Sequence, residues 1–419
     1  MRDPFAITAE RRAELVAGAT AEAEKLNDLI RAQLGSAPDR WAELLPKLIA
    51  FQDDHRRVEL DIEPLLLGEL TRPGLEAGRE FVRSSSVEQI IALLGRSDER
   101  FGAAWLFDAK QPLREQMLGP GEVMLPGVFR RVPIALAARM RFAVADGQAS
   151  EVRALIRAAM ANTRVAGGRL ATIYVVIARY AAVWALREVR LLAREGAVSP
   201  AELRAWLREI DEGRPRWDLL SMAEAEKVYG REETKQIQIR WADRDVREKE
   251  ITTLEELRPV TRVLFPTHLT RTDIERRLPP GVTIAALEAG QAEPPEPYAR
   301  FVDRSVDWLV VLLEAWWGLN ADLDATRVVL ALEIHKAVHG SYPADLAALD
   351  LEPLGGELPQ DLLAGGSFVY HLTPAGEQPY ELRGSRGPGE AYSVPRGPAP
   401  EPVTPSWPAL PVPEAPAGE

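Results

Sequence analysis

The chain contains no cysteine. Disulfides, thiolate metal sites and a cysteine nucleophile are excluded, while the compartment stays open. Histidine is almost as scarce: there are five in 419 residues, and His268, His335, His339 and His371 all fall after residue 260. The N-terminal two thirds therefore offers little acid–base chemistry near neutral pH. Positive charge is short too, with 51 Lys and Arg against 63 Asp and Glu, a net charge of -12 and a pI near 5.2. No long basic run compensates, and "RDVREKE" (Arg244–Glu250) mixes both signs as a solvated face does. Nucleic acid is not an expected partner, because neutralising phosphates takes a clustered basic surface.

Long apolar runs are missing as well. The two most apolar stretches are Leu170–Leu186, interrupted by Arg179, and Trp308–Leu319, which carries Glu314. A spanning helix needs about 20 apolar residues, so both read as buried helices. "MRDPFAITAERR" lacks the apolar segment of a signal peptide. Membrane attachment is expected only if an anchor lies upstream of Met1. The phosphate-binding loop, the dinucleotide G-x-G-x-x-G after a strand and the G-x-S-x-G nucleophile elbow are all absent.

What is present is helical periodicity. Ala, Leu, Glu and Arg dominate the first 210 residues, with Gly and Pro mainly at joints. A long amphipathic helix ends at Gly35, a second follows Pro38, and Ser84–Ser86 can cap a third. From Val132 to Asp211, four helices end at Gly147, Gly167-Gly168, Gly196 and Gly213, and Ser199-Pro200 opens the last of them. Short loops between them predict antiparallel neighbours. No fixed repeat period supports a solenoid. Residues 214–279 read as helix with a broad charged face, and the Pro- and Gly-rich 279–298 reads as a connector. Beyond it come a helix to His339, paired strands at Phe368–Leu372 and Tyr380–Gly384, and a tail holding ten prolines between Gly384 and Glu419.

The chemistry that stands out lies in "LEIHKAVHGSYPADLAAL" (Leu332–Leu349). His335 and His339 are four residues apart, which puts both on one helix face beside Val328 and Leu332. A zincin pair needs glutamate after the first histidine, but Lys336 stands there. Zinc also needs a third protein ligand, for which His371, Glu333 and Asp361 are the candidates. The competing reading sets His335 at the edge of a packed face and His339 at a helix C-terminus, where the helix dipole favours a cation. Gly340 suits a left-handed helix end, and Pro343 suits the first turn of a short helix over "ADLAAL". Tyr342 should bury its ring and keep a polar partner for its hydroxyl. Asp361 should shape a turn before the strand.

From Arg327 to Gly389 the pattern is a helix, Gly340-Ser341-Tyr342-Pro343, a Leu-rich turn at Leu346 and Leu349, Pro359 and Asp361, Gly365-Gly366, a strand through Tyr370 and a Gly-rich turn at Gly387. This segment resembles the soluble domain of type II secretion pseudopilins. It is still more similar to the C-terminal part of uncharacterised envelope proteins from planctomycete-type bacteria. The helical region 132–211 is also similar to what precedes the module in those proteins. The resemblance implies a helix-plus-strands module and a bacterial envelope or periplasmic setting. It does not imply a filament subunit, because the module here follows a long helical region instead of a processed apolar helix. Nor does it carry over the calcium site of major pseudopilins: in "RGSRGPGEAY" Glu390 is the only acid, and calcium takes six to eight oxygen ligands.

The expected fold is mainly α. An antiparallel helical region, 1–290, is either one unit or two (1–130 and 131–290). It is followed by a small α+β pseudopilin-like module on a long helix, 298–390, and a disordered Pro-rich tail, 391–419. The expected role is a non-enzymatic scaffold or protein-interaction protein of a bacterial envelope without cofactor, whose protein partners are met in part through "TPSWPALPVP" (Thr404–Pro413) in the tail. Its structural motif is Gly340, Tyr342, Pro343, Pro359 and Asp361. The alternative is a metal-dependent enzyme with zinc on His335 and His339.

Overall fold

The Thr8 side chain accepts from the Arg11 N–H, and Gly35 turns the chain at φ 58°; between them the Ala- and Glu-rich run forms α1, Ala9–Leu34. The computed structural model describes residues 5–58, 66, 72–96, 101–116, 125–195, 198–252, 268–291, 298, 307–373 and 379–384. The Pro-rich tail and its Thr404–Pro413 segment lie outside the described residues. Helix α2 (Trp41–Val58) accommodates Pro46, and α3 (Arg72–Phe81), α4 (Ser85–Leu94) and the short α5 (Leu113–Gln116) follow. Ser84 does stand at the start of α4, but its hydroxyl bonds Ser86 and caps no backbone N–H.

The central layer is α6 (Leu125–Ala145), α7 (Glu151–Gly167) and α8 (Thr172–Arg194), with α9 (Pro200–Gly213) beside α7. Ser199 caps α9 through the Glu202 N–H with Pro200 in its first turn, as the sequence predicts. Arg139–Glu151 and Asn162–Phe129 contacts run α7 antiparallel to α6. Helix α10 (Leu219–Trp241) lies antiparallel to α1: Lys25 meets Glu224, and Glu22 meets Arg231 and Lys235. Within the charged face read over 214–279, the α10 residues Glu224, Arg231 and Lys235 form this seam of ion pairs. Short α11 (Arg271–Glu275) and α12 (Ile284–Glu288) precede the last helix, α13 (Trp308–His339).

Helix α13 is apolar on nearly every side, so it is stable only where it is surrounded. It is buried almost continuously from Val310 to Ile334, and its principal neighbour is α8. The antiparallel packing of the short-loop neighbours does not extend to this pair. Thr172 faces Trp308, a Cβ on Gly318 would meet the Arg179 guanidinium at 2.2 Å, and Arg190 bonds Thr326. These contacts advance together along both chains, so the two helices are parallel. Parallel neighbours need a long return, and the chain between them supplies it as α9 to α12. Trp317 is buried at the centre, while Trp308 and Trp316 are half-buried.

Guanidinium–carboxylate forks tie the layers together: Arg141 to Glu188, Arg157 to Glu209, and Arg214 to Asp324. All three carboxylates are buried, which makes each pair costly to break from one side. The C-terminal strands are small. β1 (Gln360–Asp361) pairs antiparallel with β2 (Gly366–Ser367), and β3 (Val369–Leu372) with β4 (Tyr380–Arg383) in the register Tyr370 to Leu382. The β3–β4 pair falls where alternation and turn residues place it, and β4 alternates Tyr380 and Leu382 inward.

One buried acid gives a pH prediction. Glu232 of α10 accepts a long bond from the Leu113 N–H at 3.4 Å and pairs with the Gln236 side chain, yet burial lifts its carboxyl to about 7. A raised carboxyl contributes stability that is complete below its unfolded range, near 4.5, and lost as pH rises through about 7. Glu232→Gln should therefore melt above the wild type at pH 8.5 and approach it at pH 5. Melting curves at the two pH values check the crossover.

Candidate functional site at the end of the central helix

The last three turns of α13 carry the residues that the sequence singles out. Glu333 points inward and is 4% exposed. Its carboxylate accepts from the Tyr342 hydroxyl at 3.1 and 3.0 Å and from the Tyr380 hydroxyl at 3.0 Å. Lys336 Nζ donates to the Tyr342 oxygen at 3.2 Å, so that hydroxyl is satisfied on both sides. Tyr370 donates to the Pro343 carbonyl at 2.9 Å, and its ring packs near Tyr380. The Tyr342 and Tyr380 rings meet edge-on at 4.9 Å. The helix, the loop after it and strand β4 thus converge on one carboxylate, and β3 joins the cluster through Tyr370.

The electrostatics follow from burial. Desolvation raises the Glu333 carboxyl against the opposing pull of the two tyrosine bonds. Burial and the adjacent carboxylate raise Tyr342 and Tyr380, and they bring Tyr370 to about 12. All three phenols stay protonated and serve as donors. None is poised to act as a base near neutral pH.

The histidine pair lies on the outer side of the same turns. The His335 and His339 rings are 4.3 Å apart and tilted by 43°. His335 is half-buried and His339 exposed, as on a helix edge. Burial lowers the His335 pKa, the neighbouring His339 adds to that, and Asp350 opposes it. The His335 imidazole is therefore favoured in its neutral, ligating form, but among the described residues no third ligand joins the pair. Glu333 faces the tyrosines, and Asp361 Oδ1 accepts the Ala364 N–H at 2.9 Å. Among the described residues no three His, Asp or Glu side chains gather around a metal-sized point. Chelator-washed protein incubated with one equivalent of zinc and desalted should retain well below one zinc per chain. Stoichiometric retention lost in His335→Ala/His339→Ala would reverse that reading.

The motif residues take distinct places. Gly340 ends α13 at φ 79° with its N–H on the Lys336 carbonyl, and a Cβ there would meet nothing within 4 Å. Gly340→Ala therefore carries a conformational cost alone, about 1 kcal/mol in urea unfolding. Tyr342 keeps its polar partners, Glu333 and Lys336, but its ring is only half-buried. Pro343 does not open a helix: "ADLAAL" makes only a 3-10 turn, Leu346–Ala348, capped by Asp345. The cap forms two residues past Pro343, and that residue instead offers its carbonyl to Tyr370. Pro359 leads into β1. Asp361 closes the β1–β2 turn from a fully buried position, and its carboxyl is raised by that burial.

Sequence reasoning treated Glu333 only as a possible third ligand, and Tyr380 only as a strand residue. The available signal was spacing: Glu333 is two residues before His335 and so turns away from the histidine face. Comparison with family models, curated proteins and solved structures gave no match to this chain.

Proposed function

We propose that the chain is a non-enzymatic scaffold that holds a small pseudopilin-like module for protein–protein contact, in a bacterial envelope as its resemblance implies. One observation carries this reading. Helix α13 is both the buried axis of the helical body and the stem on which the strands are fixed through Glu333. The polar residues of the motif bond inward and brace the module, which suits a presenting role better than a reactive one. Three exposed large apolar residues, Val338, Leu362 and Leu372, lie on the module and give partners a surface.

Quantitative affinity capture from an envelope fraction tests the proposal. The full chain serves as bait beside a Val338→Asp/Leu372→Asp variant and a chain lacking 385–419. At least one change should deplete specific partners severalfold while the helical signal is retained. An identical partner set for all three baits contradicts a scaffold acting through module or tail.

A further inference from the structure

The turn between α7 and α8 carries a feature unrelated to the module. Leu170 takes φ 63°, the one non-glycine residue in the left-handed region among the described residues. Such a conformation persists only where its surroundings enforce it. It accompanies the insertion of Arg169 into the core, where the side chain is 1% exposed. The guanidinium carbon lies 3.2 Å from the centre of the Trp105 ring, 3.6 Å from Phe107 and 5.3 Å from Tyr174. Nε donates to the Trp105 carbonyl at 3.1 Å. Nη1 donates to the Gln116 carbonyl at 3.2 Å and the Tyr174 hydroxyl at 2.9 Å.

The charge has no counter-ion within the described residues. Among the described residues no carboxylate forms an ion pair with Arg169, and Nη2 has no hydrogen-bond partner. Aromatic faces and carbonyls stabilise a cation, but a buried charge usually also carries an opposite one. The nearby acids supply little. Glu226 is engaged by the Thr172 N–H and hydroxyl, and burial raises both it and Glu232 toward neutrality. A second buried donor belongs to a residue packed on the same Phe107 ring as Arg169. Tyr229 packs edge-on against Phe107 at 5.7 Å, and its buried hydroxyl has no hydrogen-bond partner among the described residues.

We propose that Arg169 Nη2 and the Tyr229 hydroxyl form a buried site for a halide-sized monovalent anion. Two free donors suit a monatomic anion; a phosphate or sulfate needs a fuller set. A cleft of about 50 Å³ opens at Gly168, the residue before Arg169, and is lined also by Ala103, Gln33, Arg164, Arg216 and Trp217. Its two arginines give an approaching anion a favourable field.

The test uses the full chain dialysed into sodium gluconate. Chloride or bromide then replaces gluconate at constant ionic strength, and thermal unfolding is followed by tryptophan fluorescence. The expected result is a saturable rise of several degrees in Tm. Tyr229→Phe keeps the ring and strands no partner, so it should fold, melt like the wild type in gluconate, and lose most of the rise. Diffraction from bromide-grown crystals should show an anomalous peak beside Arg169 Nη2. A Tm indifferent to halide, a full saturable rise in Tyr229→Phe, or water alone at that position would each overturn the site.

Discussion

Glu333→Ala should destabilise the protein by about 3–5 kcal/mol, because it strands the buried Tyr380 hydroxyl, removes an acceptor from the half-buried Tyr342 and leaves a cavity between α13 and the strands. Urea unfolding followed by helical circular dichroism and by tyrosine fluorescence measures it. Glu333→Gln keeps an acceptor of nearly the same shape and should cost about 1 kcal/mol. Its pH dependence is distinctive. A carboxyl raised by burial is most stabilising below the ordinary carboxylate range, and that contribution fades as pH rises through its elevated folded value. The deficit of Glu333→Gln should therefore shrink from pH 5 to pH 8. A surface acid paired to a cation would show the opposite trend.

Asp324→Ala should cost a similar amount, about 3–5 kcal/mol, by a different route. Asp324 accepts two bonds of 2.8 Å from the Arg214 fork and a third from Arg327 at 3.0 Å, all on the buried middle of α13. Its removal leaves Asn320 as the hydrogen-bond partner of the Arg214 guanidinium among the described residues, with Asp211 as the nearby acid. The double replacement Arg214→Met/Asp324→Leu should recover much of the loss, since apolar partners avoid the desolvation of the pair. Unfolding free energies of the two variants check this. A double variant no better than Asp324→Ala would mean that the site requires the ion pair itself.

The helical class was legible because capping and breaking residues sit where periodicity ends. Ser199-Pro200, Gly35 and Gly340 each occupy the position that local chemistry predicts. The β3–β4 pair was legible for the same reason, through alternation and a turn. The parallel setting of α8 and α13 was not. Two helices more than a hundred residues apart share no local signal, and their uniform hydrophobicity says only that both are buried. The Glu333 cluster was half legible. Tyr342 was expected to need a polar partner, but the identity of that partner depends on which face of α13 meets the strands. Arg169 was not legible, because "VAGGRL" reads as an ordinary helix end. Its burial depends on Trp105 and Phe107, which lie more than sixty residues earlier.

The central claim is that α13 makes the helical body and the module one mechanical unit. Native-state hydrogen exchange along α13 in low denaturant tests it most directly. If the claim holds, amides near Val311 and Leu323, beside the body, and near Leu332, beside the module, open with the same free energy as global unfolding. If Leu332 and Glu333 open at a clearly lower free energy while Val311 and Leu323 stay protected, the module is a separate unit and the claim fails.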